Sequence, residues 1–132
     1  MKILLDTDAY SQLKRGNPRV ADVVRASEKV FFSAVVAGEL LYGFRHGSRF
    51  DNNLRELREF LDHPYVTFVP VNLVTGDRYS RIALGLRQMG KPIPTNDIWI
   101  AAHAMETGAD LLSFDDHFEH IDGLVWIHLS NS

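Results

Sequence analysis

Short runs of apolar residues alternate along this chain with longer segments of helical spacing, and this alternation limits the fold more than any other feature. The runs are continuous rather than alternately apolar and polar, as is typical of strands covered on both faces. They lie at residues 3–5, 30–32, 66–71, 111–112 and 125–127. The helical segments between them are residues 9–14, 20–26, 34–44, 53–61, 73–89 and 97–106. Because parallel strands need crossover connections, the pattern predicts an α/β three-layer sandwich, with a mainly parallel central sheet flanked by helices.

Length and composition limit the class of protein further. The chain has 132 residues, of which 45% are hydrophobic and 23% charged, so we expect a single domain over residues 1–132 and no disordered chain or rod. It has no cysteine, which excludes disulfides and thiolate zinc sites. With no apolar run of membrane-spanning length and no signal segment, we expect a cytoplasmic protein that does not contact a membrane.

Charge is unevenly distributed along the chain. Residues 1–91 hold all 14 basic side chains and 10 acids, whereas residues 92–132 hold 7 acids and no lysine or arginine. The net charge of −3 excludes a generally basic nucleic-acid-binding surface, although a local one remains open. The acids of residues 92–132 are consistent with either a solvated acidic face or an acidic site.

Four acids occupy positions where the predicted elements meet. Asp6 ends the first strand and Asp115 follows the fourth, although each could equally cap a helix or form a turn. Glu39 is the only charge between Ser33 and Phe44, on an apolar helix where a carboxylate must find a partner or reach water. Asp97 lies in the first turn of a predicted helix, where a negative charge interacts favourably with the helix dipole. This could be its only role.

Local caps define where two of these helices begin. Ser33 is expected to cap the helix that carries Glu39, and Thr95 or Asn96 the helix that carries Asp97.

The four acids are expected to converge at one edge of the sheet. Right-handed crossovers return strand ends, and the helix starts beside them, to the same edge. Two carboxylates about 5 Å apart repel by roughly 3 kcal/mol at an effective dielectric near 20. Protons or cations must therefore compensate, and oxygen ligands favour Mg²⁺ or Mn²⁺ over zinc. Such an ion hydrolyses phosphate esters through a water whose pKa it lowers.

The segments that carry the acids, taken together, resemble a known family. These are residues 4–8 (LLDTD), 33–40 (SAVVAGEL), 96–104 (NDIWIAAHA) and 111–118 (LLSFDDHF). In order and spacing they resemble the PIN-domain ribonucleases, and most closely the VapC toxins of bacterial and archaeal toxin-antitoxin modules. The likeness covers essentially the whole chain.

The resemblance implies the roles of individual residues. It makes Asp6, Glu39, Asp97 and Asp115 the catalytic acids and the ligands of Mg²⁺ or Mn²⁺ for endonucleolytic cleavage of RNA. Auxiliary positions are Asp8, Ser113 and Asp116. Ser113 stands where the family has Thr or Ser, and Asp8 departs from the more usual Asn or Ser.

Partners follow from the resemblance and from the basic residues. The family implies a homodimer and a small antitoxin that blocks the site, and apolar residues of the early helices offer either core or docking area. They are Tyr10, Leu13, Val20, Val23, Val24, Leu54, Leu57 and Leu61. An anionic centre needs nearby cations to accept RNA, and candidates are Lys14, Arg15, Arg45 and Arg49, followed by Arg19, Arg55 and Arg58. Solvated helix faces explain any one of them equally well.

Two other functions fit parts of the sequence. Asp6 and Asp8 after a strand resemble the D-x-D nucleophile of haloacid-dehalogenase-type phosphatases, but Glu39 and Asp97 would then have no task. A non-catalytic PIN domain that binds RNA or a partner is the second alternative, and retention of all four acids argues against it.

Overall fold

The computed structural model describes residues 1–130 and contains one five-stranded sheet. The strands are β1 (Lys2–Leu5), β2 (Lys29–Ser33), β3 (Val66–Val69), β4 (Asp110–Ser113) and β5 (Trp126–His128). They run parallel in the order β3-β2-β1-β4-β5, so β1 lies at the centre. The predicted α/β fold with a parallel sheet is confirmed.

Six α-helices flank the sheet in the described part of the chain. They are α1 (Thr7–Lys14), α2 (Pro18–Ala26), α3 (Ala34–His46), α4 (Phe50–Leu61), α5 (Leu73–Gln88) and α6 (Thr95–Thr107), and a short 3₁₀ helix covers Asp116–His120. Ile3, Leu4 and Leu5 of the central strand are fully buried, as expected of a strand covered on both faces. Among residues 1–130, no helix is both long and apolar enough to cross a bilayer.

Most elements begin or end one to three residues from the expected positions, and two of these differences and one helix cap have a clear local cause. Helix α4 begins at Phe50 rather than residue 53, because its first turn is mostly polar and lies outside the apolar periodicity. Strand β3 ends at Val69 rather than residue 71, because Pro70 has no N–H for the ladder and Asn72 caps α5. At α6 the expected Thr95 or Asn96 cap is wrong, because Pro94 is the N-cap residue and no side chain caps the helix.

The carboxyl ends of β1, β2 and β4 meet at one edge of the sheet. Asp6 follows β1 as the N-cap of α1, and Ser33 ends β2 as the N-cap of α3, as expected. Ser113 ends β4, which pairs directly with β1. Ligands of open α/β sheets bind at such an edge, and the candidate site lies there.

Candidate metal centre

Asp6 is the most buried acid of the site. Its side chain is 7% exposed, and Oδ1 accepts a hydrogen bond from the backbone N–H of Ala9 at 2.8 Å. The other oxygen accepts from the hydroxyl of Ser113, which is fully buried. Burial raises the pKa of Asp6 to about 6, and the negative charges of Asp8 and Asp97 add to the effect although both hydrogen bonds oppose it. The same carboxylate therefore caps α1 and bonds Ser113 at the end of β4.

Glu39 links the two chain segments that carry Asp6 and Asp97. Its Oε1 accepts from the hydroxyl of Thr7 at 2.6 Å, and its Oε2 accepts from the amide of Asn96 at 3.3 Å. Thr7 follows Asp6 directly and Asn96 precedes Asp97. Of the two expectations for Glu39, a partner or access to water, the structure shows partners, and these are the neighbours in sequence of Asp6 and Asp97.

Asp97 and Asp115 face each other across His117. The Nδ1 of His117 lies 2.9 Å from an oxygen of Asp97 and 3.0 Å from an oxygen of Asp115. The hydrogen bond to Asp97 raises the pKa of His117, and the charges of Asp115, Asp97 and Asp116 add to it. Burial raises the pKa of Asp97, with further contributions from the charges of Asp115 and Glu39, against the effect of His117.

Ser113 connects the two halves of this cluster. Besides donating to Asp6, its hydroxyl accepts the backbone N–H of Asp115 at 2.9 Å. A continuous chain of hydrogen bonds thus runs from Asp6 through Ser113, Asp115 and His117 to Asp97. The structure therefore brings the segments of all four predicted acids to the same edge of the sheet.

The donor set fits a divalent cation. Asp97, Asp115 and His117 each offer one ligand atom, and the three atoms lie within 4.8 Å of one another. The raised pKa values of Asp6 and Asp97 show that negative charge is costly here, and a cation would relieve that cost. Carboxylate oxygens suit Mg²⁺ and Mn²⁺, and the imidazole of His117 also suits softer divalent ions.

An open cleft of about 520 Å³ adjoins this donor set. It is lined by Asp6, Asp8, Phe114, Asp115, Asp116 and His128. The predicted auxiliary residues Asp8 and Asp116 are both exposed and stand on its wall. A substrate can thus approach Asp6 and Asp115 from solvent.

Three polar residues of the site were not predicted. Thr7, Asn96 and His117 are each one or two positions from a predicted acid. Their nearness in sequence was an available signal, but only the placement of the helices determines which carboxylate each contacts.

The predicted RNA-binding side chains lie outside this cluster. Lys14 ends α1, with its amine 5.3 Å from the ring centre of Phe60, and Arg45 stacks over Phe50 at 4.3 Å. Arg15 and Arg49 are exposed at the end of α1 and the start of α4. Of the less favoured candidates, Arg55 pairs with Glu59 of its own helix.

The apolar residues proposed for docking belong mainly to the core. Tyr10, Val20, Val24 and Leu57 are buried, and the remaining members are partly buried: Leu13, Val23, Leu54 and Leu61.

Comparisons with known proteins show which proteins this chain resembles. The family model described as PIN domain matches residues 3–124. Ribonuclease VapC1 of Haemophilus influenzae is 24% identical over 131 residues, which is 96% of each chain. Ribonuclease VapC5 of Mycobacterium tuberculosis is 24% identical over 126 residues, covering 96% of this chain and 92% of the relative.

Solved structures show the same fold. The VapBC-1 structure from nontypeable Haemophilus influenzae superposes with a TM-score of 0.85 at 26% identity, over 97% of this chain and 98% of that one. VapBC2 from Rickettsia felis, bound to a promoter DNA fragment, gives 0.85 at 23% identity with the same coverage.

Proposed function

Because the chain belongs to the PIN domain family, we propose that it is a metal-dependent endoribonuclease and the toxin of a toxin-antitoxin pair. One observation carries the proposal: two sets of hydrogen bonds hold the segments of Asp6, Glu39, Asp97 and Asp115 together at the edge of the sheet. One set runs from Asp6 to Asp97 through Ser113, Asp115 and His117, and the other joins Glu39 to Thr7 and Asn96. The relatives named above are ribonucleases, which agrees with this chemistry. The phosphatase alternative has no use for Glu39, which is bonded to both halves of the cluster.

We assign the four acids to the ion and the reacting phosphate. A bound Mg²⁺ or Mn²⁺ would polarise the phosphate and lower the pKa of water. Asp97, Asp115 and Asp6 would hold it, because each carboxylate oxygen keeps a lone pair beyond the hydrogen bonds already made. Glu39 is oriented by Thr7 and Asn96 and would bind ion or water from the α3 side.

Three other residues set the positions and protonation of these acids. Ser113 bonds both the Asp6 carboxylate and the backbone N–H of Asp115, so it would hold the segment that carries Asp115 beside Asp6. The Nδ1 of His117 lies between an oxygen of Asp97 and an oxygen of Asp115, so a proton on this atom would bridge the two carboxylates and offset their repulsion. Asp8 and Asp116 add negative charge at the cleft wall, where they would attract cations from solvent without holding the bound ion.

The partners we propose are RNA, a small antitoxin and a second copy of the chain. Lys14, Arg15, Arg45 and Arg49 would contact RNA phosphates. The solved relatives are complexes of the VapBC type, which supports an antitoxin for this chain as well. For a homodimer, the segment after β3 offers apolar area, with Val71, Leu73 and Val74 exposed by 47%, 87% and 57%.

Cleavage of a single-stranded RNA by the purified chain tests the proposal. We expect product with Mn²⁺ or Mg²⁺, no product with EDTA, and no product from Asp97→Asn. Asp77→Asn is the matched control, because Asp77 is an exposed acid on α5 that pairs with Arg81. RNA binding without cleavage under all metal conditions would instead support the non-catalytic alternative.

A further inference from the structure

An exposed aromatic ring lies beside Glu39 on helix α3. Tyr42 comes three residues after Glu39, so the two side chains are neighbours on the helix surface. The ring is 68% exposed, although Val36 and Leu40 on the opposite side of the same helix are buried. Such exposure of a large aromatic side chain leaves apolar area in water next to the candidate centre.

The orientation of this ring is set within the helix. The rings of Tyr42 and His46, one turn apart, pack edge to face with centres 4.5 Å apart and planes at 76°. Helical side chains lean toward the N-terminus, so we expect the Tyr42 ring to lie over the turn that contains Gly38 and Glu39. The ring is therefore both held and accessible, as a stacking surface must be.

Two glycines lie near the ring on α3: Gly38 is one turn before Tyr42, and Gly43 is one turn after Glu39. Gly38 and Gly43 lie inside α3, where glycine destabilises a helix relative to alanine. Neither has a positive φ, and a Cβ at either would meet no atom within 4 Å. Packing within the described chain thus does not require glycine at these positions, and the open space is available to a molecule outside it.

The charges around the ring favour a polyanionic strand. Helix α3 passes from the acid Glu39 to Arg45 and His46 in its last turn, and Arg49 follows at the start of α4. A nucleic-acid strand offers both matching parts, since every base has a π face and every nucleotide a phosphate. An apolar protein partner would use the ring but would have no need of the cations.

We propose that Tyr42 is a stacking platform for a nucleobase next to the cleaved phosphate of a single-stranded RNA, with Arg45 and Arg49 on the neighbouring phosphates. This inference rests on the proposed function and adds a base-binding subsite to it. It assigns to Tyr42 a contact with substrate and no part in bond cleavage.

Replacement of the ring tests the subsite. Once cleavage sites are mapped on a mixed-sequence RNA, a short substrate is compared with versions that are abasic at each position near the cut. We expect Tyr42→Leu to lower kcat/KM tenfold or more, mainly through KM, and Tyr42→Phe to stay within about twofold, because stacking needs the ring alone. At one position the abasic change should impair the parent protein but not Tyr42→Leu.

The glycines provide a test in which stability and activity change in opposite directions. Gly38→Gln should raise the Tm by about 4 °C, because glutamine forms helix better than glycine and meets no clash. It should also lower kcat/KM, because the new side chain fills the space one turn before Tyr42 on the same face of the helix. Unchanged kcat/KM in Tyr42→Leu would overturn the proposal.

A binding measurement separates failure of the subsite from failure of the proposed function. In EDTA, single-stranded oligonucleotides with 2-aminopurine at successive positions should lose fluorescence on binding the parent chain, and keep it with Tyr42→Leu. If the parent chain cleaves RNA but quenching is the same in both proteins, only the subsite is wrong. If Tyr42→Leu instead changes the oligomeric state in sedimentation, the face is an interface between copies and the subsite is again refuted.

Discussion

Replacing Asp6 by asparagine should stabilise the metal-free protein, and the gain should depend on pH. The pKa of Asp6 is about 6 in the folded chain against 3.8 for the free side chain, so folding disfavours its charged form. The stability this group contributes is therefore complete below pH 3.8 and is lost as pH rises through about 6. At 1.36 kcal/mol per pH unit, the ionised carboxylate costs roughly 3 kcal/mol at pH 7.5 and roughly 1 kcal/mol at pH 4.5.

The asparagine variant loses part of one interaction. An amide oxygen can still cap Ala9, but it no longer accepts the Ser113 hydroxyl as well, which costs about 1 kcal/mol. The net gain expected for Asp6→Asn is thus about 2 kcal/mol at pH 7.5 and close to zero at pH 4.5. For a domain of this size, 2 kcal/mol corresponds to a rise in Tm of about 6 °C.

Urea or thermal unfolding in EDTA, at both pH values, measures this difference. Asp62→Asn is the control, because Asp62 is an exposed acid at the end of α4, away from Asp6, and its replacement should change stability by less than about 0.5 kcal/mol. A variant no more stable than the parent at pH 7.5, or equally more stable at both pH values, would refute the burial argument.

Three further predictions follow from the contacts. Glu39→Gln should lower the rate of RNA cleavage at least about 100-fold in a gel assay. Glu28→Gln, which changes an exposed acid, should not lower it. Equal activity of the two variants would exclude a role for Glu39 in binding the ion or the water. Ser113→Ala should cost about 1–3 kcal/mol in chemical unfolding, because the buried hydroxyl serves two partners, and a loss under 0.5 kcal/mol would contradict its bonds. Burial lowers the pKa of His103, whose Nδ1 lies 2.7 Å from the hydroxyl of Ser33. The parent protein should therefore lose stability relative to His103→Gln as pH falls below 6.5. Profiles of Tm against pH that run parallel in the two proteins would contradict this prediction.

The fold could be predicted because two periodicities alternate along the whole chain. Strands buried on both faces give continuous apolar runs, and the helices between them force parallel pairing. The path of the chain then determines that Asp6 and Ser113 reach the same edge, since β1 and β4 are neighbours. That much of the site follows from topology and needs no side-chain detail.

The contacts within the site could not be predicted in this way. Whether Glu39 contacts Thr7, and whether His117 lies between two acids, depends on helix rotation and rotamers that spacing does not determine. Asn96 illustrates the difficulty. Its sequence position suggested a helix cap, yet its amide donates to Glu39 instead and leaves α6 without a side-chain cap.

Titration with Mn²⁺ in a calorimeter tests most directly whether the gathered acids form a cation site. We expect saturable binding by the parent chain, loss of that binding in Asp97→Asn and in Asp115→Asn, and near-parent binding in Asp116→Asn, whose side chain is exposed on the cleft wall. No saturable heat with the parent chain, or an unchanged affinity in Asp97→Asn, would contradict a metal centre at this edge of the sheet.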